Sequence, residues 1–95
     1  STKICLIATQ GLIAFRKGNN LEGSRLYEEA IDHANRLNLK QYSWLARLNY
    51  ANELILTGTD QREKILNLIK IPEHTPYSDI NFLKQRITNN LTTLS

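Results

Sequence analysis

Hydrophobic residues recur along most of this chain at helical spacing. Between Lys3 and Lys17, Ile4, Ile7, Ala8, Gly11, Leu12 and Phe15 fall at i, i+3, i+4, i+7, i+8 and i+11, which lines one face of an α-helix. Cys5, Leu6, Ile13 and Ala14 fill other positions, so this helix is apolar on most sides and is expected to be buried between neighbours. Gly18 stops it, and Asn19-Asn20-Leu21-Glu22 reads as a capping box opening a second helix over about residues 20–37. That helix directs Gly23, Leu26, Tyr27, Ala30, Ile31 and Ala34 inward. On its outer face Glu22 and Arg25, Glu29 and His33, and Asp32 and Arg36 lie three or four apart, as stabilising pairs do. After a polar break at residues 38–41, a third helix carries Trp44, Leu45, Leu48, Ala51 and Ile55 on one side and ends at Thr57-Gly58-Thr59. Asp60-Gln61-Arg62-Glu63 reads as a second capping box, opening a fourth helix with Ile65, Leu66, Leu68, Ile69 and Ile71 that Pro72 closes. Thr75-Pro76 suggests a cap with proline at the first helical position of a fifth helix bearing Ile80, Leu83, Ile87 and Leu91, with a tail from Thr88 to Ser95 expected to fray. No segment alternates as a strand does and valine is absent, so the fold class is all-α, built of antiparallel helix hairpins.

Length narrows the possibilities further. Ninety-five residues make one domain, which excludes a two-domain enzyme, and a chain of this size buries roughly 60 to 70% of its unfolded surface, enough to fold without disulfides or metal. No apolar run approaches the roughly 20 residues that a membrane-spanning helix needs. Cys5 is the lone cysteine, with no partner for a disulfide and no companion for a zinc site; it reads as a buried, inert thiol, and the compartment as reducing and cytoplasmic. No signal-peptide pattern is present, and a chain that starts at Ser1 and lacks methionine is expected to be a segment of a longer protein. The formal charge of +3 is spread from Lys3 to Arg86 with acids between, a solvated surface rather than the single basic face of a nucleic-acid domain.

Gly18 and Gly58 lie forty residues apart, and each precedes a helix start. Ile7-x2-Gln10-Gly11-x2-Ala14, then Gly18, then Gly23-x3-Tyr27-x2-Ala30 resembles the tetratricopeptide repeat: a small residue inside the first helix, a turn glycine, and a small, aromatic, small series in the second. The likeness covers residues 4–37, with Ile7, Gln10, Ala14 and Asn35 at positions where the family has an aromatic residue, leucine, tyrosine and proline. Asn49-Tyr50-Ala51, Leu54 and Gly58 look like the first helix of a second repeat of the long variety, whereas Glu63, Asn67 and Lys70 depart from the small and aromatic positions of its second helix. The resemblance implies a right-handed superhelix of two repeats, with the fifth helix as a C-terminal cap or as the opening helix of a third repeat. Independently of it, Gly11 and Gly23 are residues that allow two helices to approach closely, with Tyr27 filling the space beside them.

Little in the chain could converge for catalysis. His33 belongs to the charged side of the second helix, and His74 to a loop beside Glu73. Glu28, Glu29 and Asp32 lack histidines at ligand spacing, and there is no phosphate loop or dinucleotide turn, so no metal or cofactor is expected. Asn90-Leu91-Thr92 is a formal glycosylation sequon expected to stay idle. What remains is a binding surface. The resemblance assigns the concave groove to Ala8, Leu12, Phe15 and Arg16 of the first helix and to Leu48, Asn52, Ile55 and Leu56 of the third. Among the polar residues, Arg16, Asn49 and Asn52 are candidates to bond a peptide's backbone or carboxylate, with Phe15 and Leu56 supplying apolar contact and Arg16 contributing little to folding. The family's carboxylate clamp needs Lys and Asn where this chain has Ala8 and Leu12. The expected function is a non-enzymatic module that binds a peptide or a neighbouring domain. The alternatives are a regulatory or substrate-positioning appendage of an enzyme elsewhere in the parent chain, and homo-oligomerisation through an apolar end of the stack.

Overall fold

The computed structural model describes residues 1–58 and 60–93 and contains five helices: α1 (Thr2–Arg16), α2 (Asn20–Arg36), α3 (Lys40–Thr57), α4 (Arg62–Leu68) and α5 (Ser78–Thr93). There is no strand among the described residues, and the chain is all-α as its periodicity predicts. Thr59 of the expected helix stop, and Leu94 and Ser95 of the expected frayed tail, lie outside the described residues.

Two turns of the same form set the order of the first three helices. In Lys17-Gly18-Asn19, Gly18 takes φ 81°, its N–H donates to Phe15 O, and the Asn19 N–H donates to Ala14 O at 2.9 Å. In Leu37-Asn38-Leu39, Asn38 takes φ 58°, its N–H donates to Asn35 O, and the Leu39 N–H donates to Ala34 O at 2.9 Å. Both are Schellman closures, which need a left-handed residue just past the helix end, and asparagine is the residue that best replaces glycine there. A new helix starts directly after each, so α2 lies against α1 and α3 against α2, while α3 also meets α1, α4 and α5. α3 is therefore central. Ser43, Ala46, Leu48, Tyr50, Ala51, Glu53 and Leu54 are all buried, spread around its circumference rather than along one stripe.

The close approach of α1 and α2 follows from their glycines. A Cβ on Gly11 would lie 3.0 Å from Tyr27 Cδ2 and 3.2 Å from Gly23 O, and one on Gly23 would lie 2.5 Å from the ring of Phe15. Phe15, Tyr27 and Tyr50 fill this space as one cluster. Tyr27 and Tyr50 are stacked with centroids 5.4 Å apart, and Phe15 tilts against both at 6.0 and 6.1 Å.

Several local expectations are overturned. Neither capping box forms. At Asn19 the backbone N–H that Glu22 would accept from is already committed to Ala14 O, so Glu22 turns to Arg25 instead. α4 begins at Arg62, which puts Glu63 one position too early to reach back, and the Gln61 side chain at the N-cap makes no capping bond. α4 also stops at Leu68, well short of Pro72. The residue before a proline is disfavoured in helix. Arg47, reaching across from α3, takes the carbonyls of Asn67, Leu68 and Lys70 at 2.9 to 3.0 Å and closes the end. Ile69 and Ile71 stay buried without helix.

α5 starts at Ser78, leaving Pro76 outside it; Thr75 is tied to the first turn by Asn81, whose side chain accepts from the Thr75 N–H and donates to the Thr75 carbonyl. The segment from Thr88 does not fray within the described residues: α5 is helical to Thr93, and Leu91 is buried. On α2, Glu29 is paired with Arg25 rather than with His33, whereas Asp32 and Arg36 pair as the spacing predicts. α1 is not enclosed. It sits at the edge of the helix array with Leu6 and Ile13 about half exposed, and Cys5 is exposed rather than buried because its side of the helix has no neighbour.

Candidate functional site

α1 and α3 run side by side, and between them opens a cleft of about 220 Å³. Ala8, Thr9 and Leu12 of α1 form one wall, and Asn49 and Asn52 of α3 the other. Buried Tyr27 and Glu53 supply the floor, and Arg16 stands at one end. The periodicity explains the arrangement: positions 8, 12 and 16 repeat every turn of α1, and 49, 52 and 53 lie on the matching face of α3.

Of the partner-binding residues expected from the sequence, Leu12, Arg16, Asn49 and Asn52 therefore meet around one cleft. Phe15 does not. It is 6% exposed, held between Tyr27 and Tyr50 in the space that Gly23 leaves, and it is a core residue unable to touch a bound segment. Leu56 is exposed one turn beyond Asn52 and does not line the cleft. Leu48 is fully buried, and Ile55 packs half-buried against the core.

A residue that the sequence reading did not single out governs the electrostatics. Glu53 is buried, and Arg16 binds it with two hydrogen bonds, Nε to Oε1 at 3.0 Å and Nη2 to Oε2 at 3.2 Å. These bonds, followed by the attraction of the carboxylate itself, push the Arg16 pKa further up. The fork geometry fixes both groups, and the pair leaves the cleft floor without net charge. Arg16 is thus committed within the protein and is not a free receptor for a ligand carboxylate. The two residues are 37 apart in sequence and lie on different helices, so no local spacing hinted at the pairing. Tyr27, beneath them, has its phenol pKa pushed up to about 12, first by burial and then by the nearby Glu53 charge, with Arg16 opposing.

On the far side of the aromatic cluster, the Tyr50 hydroxyl donates to Glu28 Oε2 at 3.2 Å, and Lys64 of α4 donates to the same oxygen at 3.1 Å. The Lys64 ammonium also lies 5.1 Å from the centre of the Tyr50 ring. These contacts fasten α4 onto α2 and α3. Among the described residues, no group of His, Cys, Asp and Glu could hold a metal ion, and no helix is long and apolar enough to cross a membrane. The amides of Asn49 and Asn52, half-buried in the cleft, are not used in hydrogen bonds to other described residues. Comparison with known proteins adds no relative: no family model, curated protein or solved structure matches the chain.

Proposed function

We propose that the chain is a non-enzymatic interaction module of tetratricopeptide-like form, and that the α1/α3 cleft takes an extended peptide segment. The superhelical reading is supported by the two equivalent turns twenty residues apart, at Gly18 and Asn38, and by the parallel contact of α1 with α3. The observation that carries the functional reading is the pair of half-buried, unspent amides of Asn49 and Asn52 facing Ala8 and Leu12 across the cleft. A carboxamide offers one acceptor and two donors, which matches a peptide unit, and an apolar wall beside it accepts a side chain. Because Arg16 and Glu53 neutralise each other, the cleft favours an uncharged stretch of peptide over a terminal carboxylate.

Selection of a displayed random-peptide library against the purified domain tests this. Peptides recovered should carry an apolar residue within an uncharged stretch and should lose at least tenfold in affinity when Asn49 and Asn52 are both replaced by alanine, with the melting temperature unchanged. Binding that survives this double substitution would refute the cleft as the binding face. A second reading, self-association through an end of the stack, is favoured by Phe82 of α5, 70% exposed, and by the exposed Leu66 of α4. Sedimentation over a range of concentrations separates the two.

A further inference from the structure

A second and larger cleft, of about 340 Å³, lies at the other side of α3, where α2 ends and α3 begins. Its lining is unlike that of the α1/α3 cleft. Lys40, Ser43, Trp44 and Arg47 fall at i, i+3, i+4 and i+7 on one face of α3, and Asn35 and Asn38 approach from the end of α2. Two cations and no carboxylate line it. Buried Ser43 donates to Asn35 Oδ1 at 2.6 Å, which occupies the amide oxygen of Asn35 and leaves its NH2 as a donor. Arg47 spends Nε and Nη2 on the end of α4, and Nη1 is left out of those bonds. The first-turn N–H groups of α3, an eighteen-residue helix, start at this cleft and add partial positive charge. Trp44, half-buried and in edge contact with Tyr77 at 6.3 Å, supplies a flat apolar wall together with Ala34 and Leu39.

Two cations with no carboxylate to balance them select an anion, and an indole beside them selects a flat ring. A cavity near the lower end of small-ligand sites, which run from about 300 to 1,000 Å³, admits one small molecule rather than a polymer. We propose that this cleft binds a nucleoside monophosphate, with the base against Trp44 and the phosphate between Lys40 and the first turn of α3. The site is independent of the peptide cleft, and either could exist without the other.

Trp44 is the only tryptophan in the chain, so its fluorescence reports on the cleft directly. Titration of the purified domain with AMP should quench it saturably, whereas adenosine, inorganic phosphate and phenyl phosphate should each bind at least tenfold more weakly. Lys40→Glu should weaken AMP at least tenfold. The substitution places an acid in the first turn of α3, where the helix dipole favours it, so the melting temperature should hold or rise and unfolding cannot account for the loss. Lys17→Glu, which changes net charge equally at the opposite end of α2, should leave AMP binding within twofold. No saturable quenching by AMP, equal binding of any one of the three partial ligands, or equal losses in the two charge variants would each overturn the proposal.

Discussion

Replacing Gly23 by alanine tests the packing that creates this fold. The new methyl carbon would lie 2.5 Å from Phe15 Cδ2, 2.8 Å from Cε2 and 2.9 Å from Cγ, whereas carbon atoms in contact prefer about 3.5 to 4.0 Å. The ring must therefore retreat by about 1 Å. It cannot do so freely, because Phe15 is buried and its ring is backed by Tyr27 and Tyr50, themselves stacked on each other. Overpacking of this kind costs about 1 to 3 kcal/mol, and exchange of glycine for alanine inside a helix returns up to about 1 kcal/mol. With three ring atoms inside contact distance, the expected net loss is about 1 to 2 kcal/mol, or a fall in melting temperature of about 4 to 16 °C for a domain of this size. Gly11→Ala is the internal comparison. Its nearest neighbours would be at 3.0 to 3.3 Å, so smaller movements suffice and the helix-propensity gain roughly cancels them. Equilibrium unfolding in urea measures both, with the m value expected to stay constant. Phe15→Leu combined with Gly23→Ala should recover part of the loss, giving a favourable coupling of about 0.5 to 3 kcal/mol. A Gly23→Ala midpoint at or above that of the parent, or strict additivity with Phe15→Leu, would show that the ring is not wedged as described.

Two further predictions concern the Arg16–Glu53 pair and Tyr27 at the α1/α3 cleft. Arg16→Ala should lower the urea midpoint, because it strands the buried Glu53 carboxylate, and Glu53→Gln added to it should restore part of the loss; an unchanged midpoint in Arg16→Ala would contradict the pairing. Tyr27 makes stability depend on alkaline pH. Its folded pKa, near 12, lies above its usual 10.0, so the native state holds the proton more tightly, the contribution is complete below about pH 10, and it is lost as pH rises toward 12. With solvent screening the rise corresponds to at most about 3 kcal/mol, and the stability difference between the parent and Tyr27→Phe should change measurably across that window; parallel curves would contradict it.

Features that depend on residues close in sequence were legible before the structure. The faces of α1 and α2, the stop at Gly18, and the small positions Gly11 and Gly23 all rest on spacing and on what glycine permits. α3 was harder to read for a physical reason. A helix that touches four others has no solvent stripe, so the expected single apolar side of Trp44, Leu45, Leu48, Ala51 and Ile55 captured only part of what is buried, and Tyr50, Leu54 and Glu53 lie outside that stripe. α1 erred in the opposite direction. Its composition suggested enclosure, but composition does not say which sides have neighbours, and Cys5, Leu6 and Ile13 face outward.

The helix ends show the same division between local and tertiary causes. Asn38 performs at the end of α2 the conformational task that Gly18 performs at the end of α1, with the same pair of backbone bonds. In sequence it was only part of a polar break, because asparagine is also common where no such turn exists. At α4 the local signal pointed to Pro72, yet the helix ends several residues earlier, where a guanidinium from α3 accepts the task of satisfying its last carbonyls. Arg16 illustrates the consequence for function. Taken alone it is an exposed cation on a groove, suited to a ligand's carboxylate; with Glu53 buried beside it, its charge is balanced from within the protein. The polar side chains of the cleft left outside that pairing are then Asn49 and Asn52, so under the proposed function selectivity would rest on neutral hydrogen bonding rather than on charge.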